Sequence, residues 1–383
     1  MKRTNLIINL VLGFFLKVFA KFKHQKFIKK TKIKGPAITL SNHTSFYDFI
    51  YTYTAVYPRR TTFLAARKMF HERGLKTFMN LARAIPKSLM EADFSATKKT
   101  LEILKKKGIV SIFPEEQISP TGETLAFNYS ISKLIKKAKV NVYIIRHSGA
   151  GLQNPAWSKK TFKGPVFTEK FLVITKEEID SLTTDEIYER LTKGLYYSQT
   201  DFVLKSSNTY KVNNIKNLEN LIYLCPKCNH EGLNANNDRL SCSFCKEEFI
   251  YDERGFLGGV DFNNRFKEQR DLVIKEVKKD NDYQISANVK LFNIFNNVNQ
   301  EVGNGLLTLT KKEFIYEGTI NNEDVRKTFT LRTIPYLPSD IGRNIQIYVK
   351  EQVYQFEFDI SYLPTKFVII GEYFHKEFIN NNI

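Results

Sequence analysis

Short apolar runs alternate with helical patterns from residue 36 to about residue 200. The apolar runs have strand length and are rich in β-branched residues, and they occupy residues 37–40, 61–66, 109–113, 141–146 and 170–175. Between them, apolar positions recur at helical spacing at roughly 46–57, 69–82, 94–107, 126–138 and 184–198. This alternation predicts an α/β domain with a mostly parallel central sheet.

The pattern changes after the polar stretch 206–213, which we interpret as a linker. Over the last hundred residues, short segments such as "GLLTLTKKEFIYEG" and "RNIQIYVKEQVYQFEF" alternate with period two, and a helical pattern follows them. Several short antiparallel strands capped by a helix predict a small mainly-β barrel or sandwich domain. The order of its strands resembles that of pleckstrin-homology or GRAM-like domains.

The amino-terminal segment is an apolar run, residues 6–16, followed by a dense basic stretch. Eleven helical residues cover about 16 Å, roughly half of the ~30 Å hydrocarbon core, so the run is too short to span a membrane. Lys17, Lys21 and the cluster Lys23–Lys34 suit a helix that lies in the interface among anionic headgroups. A buried core helix and a cleaved signal peptide are the alternatives, although no A-x-A-like cleavage site follows the run.

The net charge of +18 is concentrated at the front of the chain, because residues 1–47 contain ten Lys or Arg and no Asp or Glu. Such a surface attracts anionic membranes, nucleic acid or acidic small molecules. The apolar run beside it favours lipid, so we expect a peripheral or monotopic protein at the cytoplasmic face of an anionic membrane. A nucleic-acid-binding protein is the alternative from another class.

All four cysteines fall in two short motifs, "CPKC" and "CSFC". Cys225 and Cys228 are separated by two residues, as are Cys242 and Cys245, and thirteen residues lie between the pairs. This spacing is typical of a four-thiolate zinc ribbon, in which two tight turns complete a closed tetrahedron. Two disulfides are the alternative. We expect a structural zinc ion with no part in catalysis.

The stretch "TLSNHTSFYDF" places a histidine and a carboxylate directly after a predicted strand. His43 and Asp48 would point about 140° apart on one helix, but they meet if His43 lies in a loop and Asp48 in the first helical turn. Ser45 is the expected N-cap of that helix. A histidine oriented by a carboxylate can take a proton from a substrate hydroxyl, which is the design of direct acyl transfer.

Two motifs in the same order resemble the glycerolipid acyltransferase superfamily, of the lysophosphatidic-acid acyltransferase type, over about residues 30–200. The N-H-x-x-x-x-D block matches Asn42, His43 and Asp48, and the second block begins F-P-E at residue 113. The resemblance implies that His43 is the base and that Asp48 orients it. It also implies a lysolipid acceptor and an acyl donor, carried on acyl carrier protein, coenzyme A or phosphate.

The same resemblance implies a set of substrate-binding residues, namely Asn42, Ser45, Arg67, Lys68, Lys87, Phe113, Pro114, Glu115 and Ser119. Part of the phosphate-reading pattern is altered. Glu116 and Gln117 stand where the family has glycine and threonine, and Ile118 stands where an arginine usually contacts phosphate. A second block, "RAIPKSL", also lacks its terminal arginine, so Lys87 or Arg83 would supply the charge.

The sequence therefore predicts four segments, a membrane-surface segment (1–34), an acyltransferase domain (35–205), a zinc ribbon (216–252) and a β domain (285–383). A non-catalytic lipid-binding scaffold that keeps the acyltransferase fold is a further alternative.

Overall fold

The computed structural model describes residues 3–70, 75–88, 93–295, 298–334, 336–349 and 352–380. The chain forms two compact units. The first consists of Met1–Ala156, Lys160–Lys211 and Glu253–Gly255, and the second of Trp157–Lys159, Val212–Asp252 and Phe256–Ile383.

The first unit is an α/β sandwich around one sheet. Its strands are β1 (Gln25–Lys30), β2 (Ala37–Ser41), β3 (Thr61–Ala66), β4 (Ile85–Lys87), β5 (Ile109–Ile112), β6 (Asn141–Ser148) and β7 (Val166–Ile174). Its helices are α1 (Leu6–Phe22), α2 (Asp48–Val56), α3 (Leu75–Leu81), α4 (Phe94–Lys105), α5 (Ser130–Ala138), α6 (Ala150–Gln153), α7 (Thr184–Leu195) and α8 (Gln199–Lys205).

The strand order in this sheet is β1-β7-β6-β2-β5-β3-β4. β7 runs antiparallel to β6, and the other described neighbours are parallel. The central strands β2 and β5 are buried along their whole length, which is why they read as continuous apolar runs. The predicted α/β class is confirmed, and the carboxyl ends of β2, β3, β4, β5 and β6 meet at one edge.

Two strands of this sheet were not expected from the sequence. The basic stretch after residue 23 was predicted to continue the amino-terminal helix, but α1 ends at Phe22 and β1 pairs in parallel with β7. The second is β4, which has three residues. The predicted helix at 69–82 corresponds to the end of a 3₁₀ turn, Arg67–Phe70, and to the helix α3. Its residues 71–74 lie outside the described part.

The second unit contains the cysteine-bearing ribbon and a β domain. The ribbon is a three-stranded antiparallel sheet of β8 (Leu233–Asn236), β9 (Arg239–Cys242) and β10 (Glu248–Ile250). A short hairpin of β11 (Phe256–Leu257) and β12 (Val260–Asp261) leads into α9 (Phe262–Val277), a helix that the sequence analysis had left unassigned.

The β domain is a seven-stranded antiparallel sheet of order β16-β15-β14-β13-β19-β18-β17. These strands are β13 (Ile285–Phe295), β14 (Val298–Leu309), β15 (Glu313–Ile320), β16 (Glu323–Thr330), β17 (Ser339–Asp340), β18 (Asn344–Val349) and β19 (Gln352–Phe358). The final helix α10 (Leu363–Asn380) places Phe367, Ile370 and Phe374 in the same core as the strands. The mainly-β carboxyl-terminal domain is thus confirmed.

Candidate active site

His43 and Asp48 come together at the carboxyl edge of the parallel sheet. His43 lies two residues after β2, and Asp48 is the first residue of α2. The Nδ1 atom of His43 is 3.3 Å from the Oδ2 atom of Asp48, and the side chains are 19% and 0% exposed. The imidazole therefore reaches solvent while the carboxylate behind it is fully buried.

Asp48 also closes the loop that carries the histidine. Its Oδ2 atom accepts hydrogen bonds from the backbone N–H groups of Thr44, at 2.6 Å, and Ser45, at 2.8 Å. The carboxylate sits at the amino-terminal end of α2, where the helix dipole favours negative charge. The predicted N-cap was Ser45, but α2 starts three residues later, and the Ser45 hydroxyl instead accepts a bond from the N–H group of Tyr47. One carboxylate thus fixes both the loop and the imidazole.

The F-P-E block holds the main chain of His43 from both sides. The Oε1 atom of Glu115 accepts a hydrogen bond from the His43 N–H group at 3.0 Å, and the Ser119 N–H group donates to the His43 carbonyl at 2.8 Å. Both side chains are buried. The Oε2 atom of Glu115 accepts from Leu125 N–H at 2.8 Å, and the Ser119 hydroxyl accepts from Gly122 N–H at 3.1 Å. Glu115 and Ser119 therefore position the histidine loop, and the substrate contacts expected of them stay a prediction.

Burial raises the pKa of Glu115 to about 8, although the N–H groups of Leu125 and His43 act in the opposite direction. The negative charge of Asp48 adds to the rise. Glu115 is therefore mostly protonated at neutral pH, and it adds no full charge behind the histidine.

Phe113 stacks on the imidazole, with ring centroids 4.5 Å apart and planes 29° from parallel. This contact restricts the rotation of the His43 ring, which the Asp48 carboxylate orients from another direction. Pro114 is buried beside it. Phe113 is thus the part of the block that touches the imidazole itself.

Asn42 supports the loop from the other neighbouring strand. Its Nδ2 atom donates to the His147 carbonyl at 2.9 Å, and its Oδ1 atom accepts from the His147 N–H group at 2.8 Å. Both ends of this fully buried amide are occupied by the main chain of β6. These contacts fasten the end of β2 to β6, and the substrate contact expected of Asn42 stays a prediction.

His147 itself has a structural environment. Its ring lies between the hydroxyl groups of Thr52, 2.9 Å from Nε2, and Thr168, 3.0 Å from Nδ1. Burial lowers the pKa of His147 to about 4, so the ring is neutral at neutral pH. It supports the sheet below the candidate site.

Two of the predicted basic residues, Arg67 and Lys87, form ion pairs with acidic side chains. The Nη2 atom of Arg67 is 3.3 Å from the Oδ2 atom of Asp93, the N-cap residue of α4. Lys87, the last residue of β4, forms an ion pair with Glu116. The side chain of Lys68 lies outside the described part.

The four cysteines of the second unit form one cluster. Their sulfur atoms lie within 4.8 Å of one another, with Cys225 and Cys245 at 3.6 Å and Cys228 and Cys242 at 3.7 Å. All four are free, so the disulfide alternative does not describe this structure. Four sulfur atoms about 2.3 Å from one zinc ion would lie roughly 3.8 Å apart, so the cluster fits a tetrahedral site.

The fold and the site together define an α/β domain with a proton-transfer pair at the carboxyl edge of its sheet. Residues 20–148, about a third of the chain, match the model of the Acyltransferase family. The matched segment includes His43, Asp48 and the F-P-E block. This part of the chain is therefore an acyltransferase-family domain, and acyl transfer is the class of reaction that the match supports.

The structure of a 1-acyl-sn-glycerophosphate (LPA) acyltransferase, PlsC, from Thermotoga maritima is also similar to this chain. The similarity has 18% sequence identity and a TM-score of 0.40, and it covers 49% of this chain and 80% of that one. A search of curated protein sequences found no significant match.

Proposed function

We propose that this protein transfers a fatty acyl group from an acyl thioester or acyl phosphate to the hydroxyl of a lysophospholipid or related glycerolipid. The observation that carries the proposal is the contact between His43 and Asp48 inside the segment that matches the Acyltransferase family. Because Asp48 engages Nδ1, the Nε2 atom of His43 is left as the basic nitrogen.

The proposed reaction is a direct transfer. The Nε2 atom of His43 takes the proton of the acceptor hydroxyl as its oxygen attacks the acyl carbonyl carbon, and the buried Asp48 carboxylate stabilises the imidazolium. The tetrahedral intermediate then collapses with loss of the thiolate or phosphate, which takes the proton back from the imidazolium. The other supporting contacts, from Glu115, Ser119 and Phe113, keep the imidazole in place without reorganisation.

We propose that α1 brings the enzyme to the cytoplasmic surface of an anionic membrane, where the lysolipid acceptor resides. One face of α1 packs through Asn9 and Gly13, and Asn9 donates to Pro58 and accepts from Tyr53. The opposite face exposes Leu6, Ile7, Leu10, Val11, Phe14, Phe15, Val18 and Phe22. No described helix has the combination of length and low polarity that crossing a bilayer requires.

The experiment that tests the proposal replaces His43 with alanine in the full chain and measures acyl transfer to a panel of lysolipids. A positioned general base contributes about 10²–10⁴ in rate, so His43→Ala should reduce kcat/KM by that factor. Asp48→Asn keeps the shape of the side chain but removes its charge, and it should give a smaller loss.

His375→Asn is the matched control, because the ring of His375 donates to the Leu331 carbonyl in the second unit and asparagine can replace that bond. It should transfer acyl groups at the wild-type rate. Equal activity of the wild type and His43→Ala on every active acceptor would reject the mechanism.

A further inference from the structure

The pair formed by Lys87 and Glu116 lies at the same edge of the sheet as the histidine. Lys87 is the last residue of β4, and Glu116 follows β5 by four residues. The Glu116 N–H group donates to the Phe113 carbonyl at 3.3 Å, which turns the chain directly after the residue that stacks on His43. Arg83 precedes β4 and therefore belongs to the opposite edge.

The backbone of Glu116 adopts a conformation that is unusual for a residue with a long side chain. Glu116 has a φ of +58°, in the left-handed region that glycine adopts without strain and that is unfavourable for a long side chain. Strain of this kind persists where the surrounding structure enforces it, and it is concentrated at functional sites. Here the strained residue directs its side chain to the Lys87 ammonium group.

This ion pair occupies the Lys87 ammonium group. The Lys87 and Glu116 side chains are 21% and 14% exposed, so water screens the pair only in part. Lys87 also donates to the Ser88 carbonyl at 3.1 Å. At the same edge, Arg67 is paired with Asp93, so both described cations from the predicted substrate set already have an acidic partner.

A phosphomonoester carries a charge of about −1.5 to −2 at neutral pH. To reach Lys87 it would have to displace the Glu116 carboxylate, and it would be repelled by that carboxylate in a partly desolvated position. A neutral hydroxyl-bearing headgroup has no phosphate charge, and the ammonium group of a zwitterionic headgroup offsets its phosphodiester charge; both can donate to Glu116. Specificity of this kind combines an attractive contact with a repulsive one.

We propose that Glu116 is a specificity-determining residue that selects acceptors without a free phosphomonoester, that is, glycerolipids with a neutral or zwitterionic headgroup. This inference rests on the proposed acyl transfer and names its acceptor class. It assigns a substrate contact to Glu116, a residue to which the sequence analysis had given no function.

The experiment compares three acceptors of one acyl chain length in mixed micelles, namely 1-acylglycerol 3-phosphate, 1-acylglycerophosphoethanolamine and 1-acylglycerol. The wild type should use at least one of the last two with a higher kcat/KM than the first, and which of them is used distinguishes a zwitterionic from a neutral headgroup. Glu116→Gln frees Lys87 and should shift the ratio toward the phosphomonoester by roughly tenfold, the size of one charge-assisted hydrogen bond.

A double variant identifies the cation responsible. Lys87→Gln combined with Glu116→Gln should lose the gain for the phosphomonoester, because the freed ammonium group is removed. Glu317→Gln, which breaks the ion pair with Arg326 in the β domain, is the matched control and should leave the ratio unchanged.

A wild type that prefers 1-acylglycerol 3-phosphate, or a ratio that Glu116→Gln does not change, would overturn the inference and leave acyl transfer standing. If the wild type, like His43→Ala, transferred acyl groups to none of the three acceptors, both the proposed function and the inference would be overturned.

Discussion

Glu115 shows how much one buried side chain can contribute to the geometry of a site. Its two carboxyl oxygens accept from N–H groups of two different loops, at His43 and Leu125. Burial nevertheless raises its pKa to about 8 from an ordinary value of 4.5. The folded protein therefore holds a proton on Glu115 over a pH range in which the unfolded chain has lost it.

This difference predicts a pH dependence of stability. The favourable contribution of Glu115 is fully present below about pH 4.5 and is lost as the pH rises to about 8, because the folded state binds the proton more tightly. In Glu115→Gln this titration is absent. Urea unfolding from about pH 5 to about pH 9 should show that the stability advantage of the wild type over the variant shrinks with rising pH. A constant difference between the two curves would contradict the assigned pKa.

At the scale of an element, α1 has one face that packs against the rest of the first unit and an opposite face that exposes large apolar side chains. Its packed face makes specific contacts, since a Cβ atom at Gly13 would come within 2.2 Å of the Tyr57 ring. Its other face leaves Phe15 and Phe22 exposed by 64% and 76%. An exposed apolar stripe with lysines beside it is the arrangement of an interfacial helix.

The membrane proposal is tested on that face. Replacing Phe15 and Phe22 with glutamate removes apolar area and adds negative charge next to anionic headgroups, so binding to anionic vesicles should fall by at least tenfold. Co-sedimentation with vesicles measures the effect. Leu272→Glu on α9 makes the same kind of change at a residue that is 38% exposed, and it should bind as the wild type does. Undiminished binding of the double variant would rule out α1 as the anchor.

At the scale of the whole molecule, the second unit contains a small ribbon whose strands have only three or four residues each. Such a module buries little apolar surface, and a structural zinc ion supplies folding free energy of about 10–16 kcal/mol in isolated zinc-finger peptides. We therefore infer that Cys225, Cys228, Cys242 and Cys245 bind one zinc ion that the ribbon needs in order to stay folded.

Metal removal tests this inference with a signal that is already present in the chain. Trp157 is the single tryptophan, and it packs in the second unit against Tyr251, directly after the ribbon, and against Phe262. Metal analysis should find about one zinc ion per chain, and a strong chelator should expose the four thiols and change the Trp157 fluorescence. Cys228→Ser should reproduce the change without chelator. Metal-free protein with an unaltered signal would show that the ribbon is stable by itself.

Periodicity and spacing predicted the elements whose signal is local. The strand at 61–66 has the predicted bounds, and the five predicted strands all belong to the sheet. The stretch 25–30 was missed because its two apolar residues are adjacent and show no period-two alternation, and it becomes a strand by pairing with β7. The three residues of β4 are too few for any period to appear.

The candidate site divides in the same way. The pairing of His43 with Asp48 and the clustering of the cysteines could be predicted from their spacing in the sequence, because each depends on loops of a few residues. The contact of Asn42 with His147, and that of Lys87 with Glu116, join residues far apart in the chain. The departure from the glycine of the acyltransferase pattern that the chain resembles was the sequence signal at Glu116, and its meaning depended on its partner.

The sequence by itself determined the α/β class, the histidine–carboxylate pair and the four-thiolate cluster, because local periodicity and short spacings encode them. Only the tertiary structure decided that the F-P-E block holds the histidine loop, that Asn42 fastens two strands and that Arg67 and Lys87 are already paired. Those features come from contacts across the sheet edge, where the order of strands in space, and not their order in the chain, sets which side chains meet.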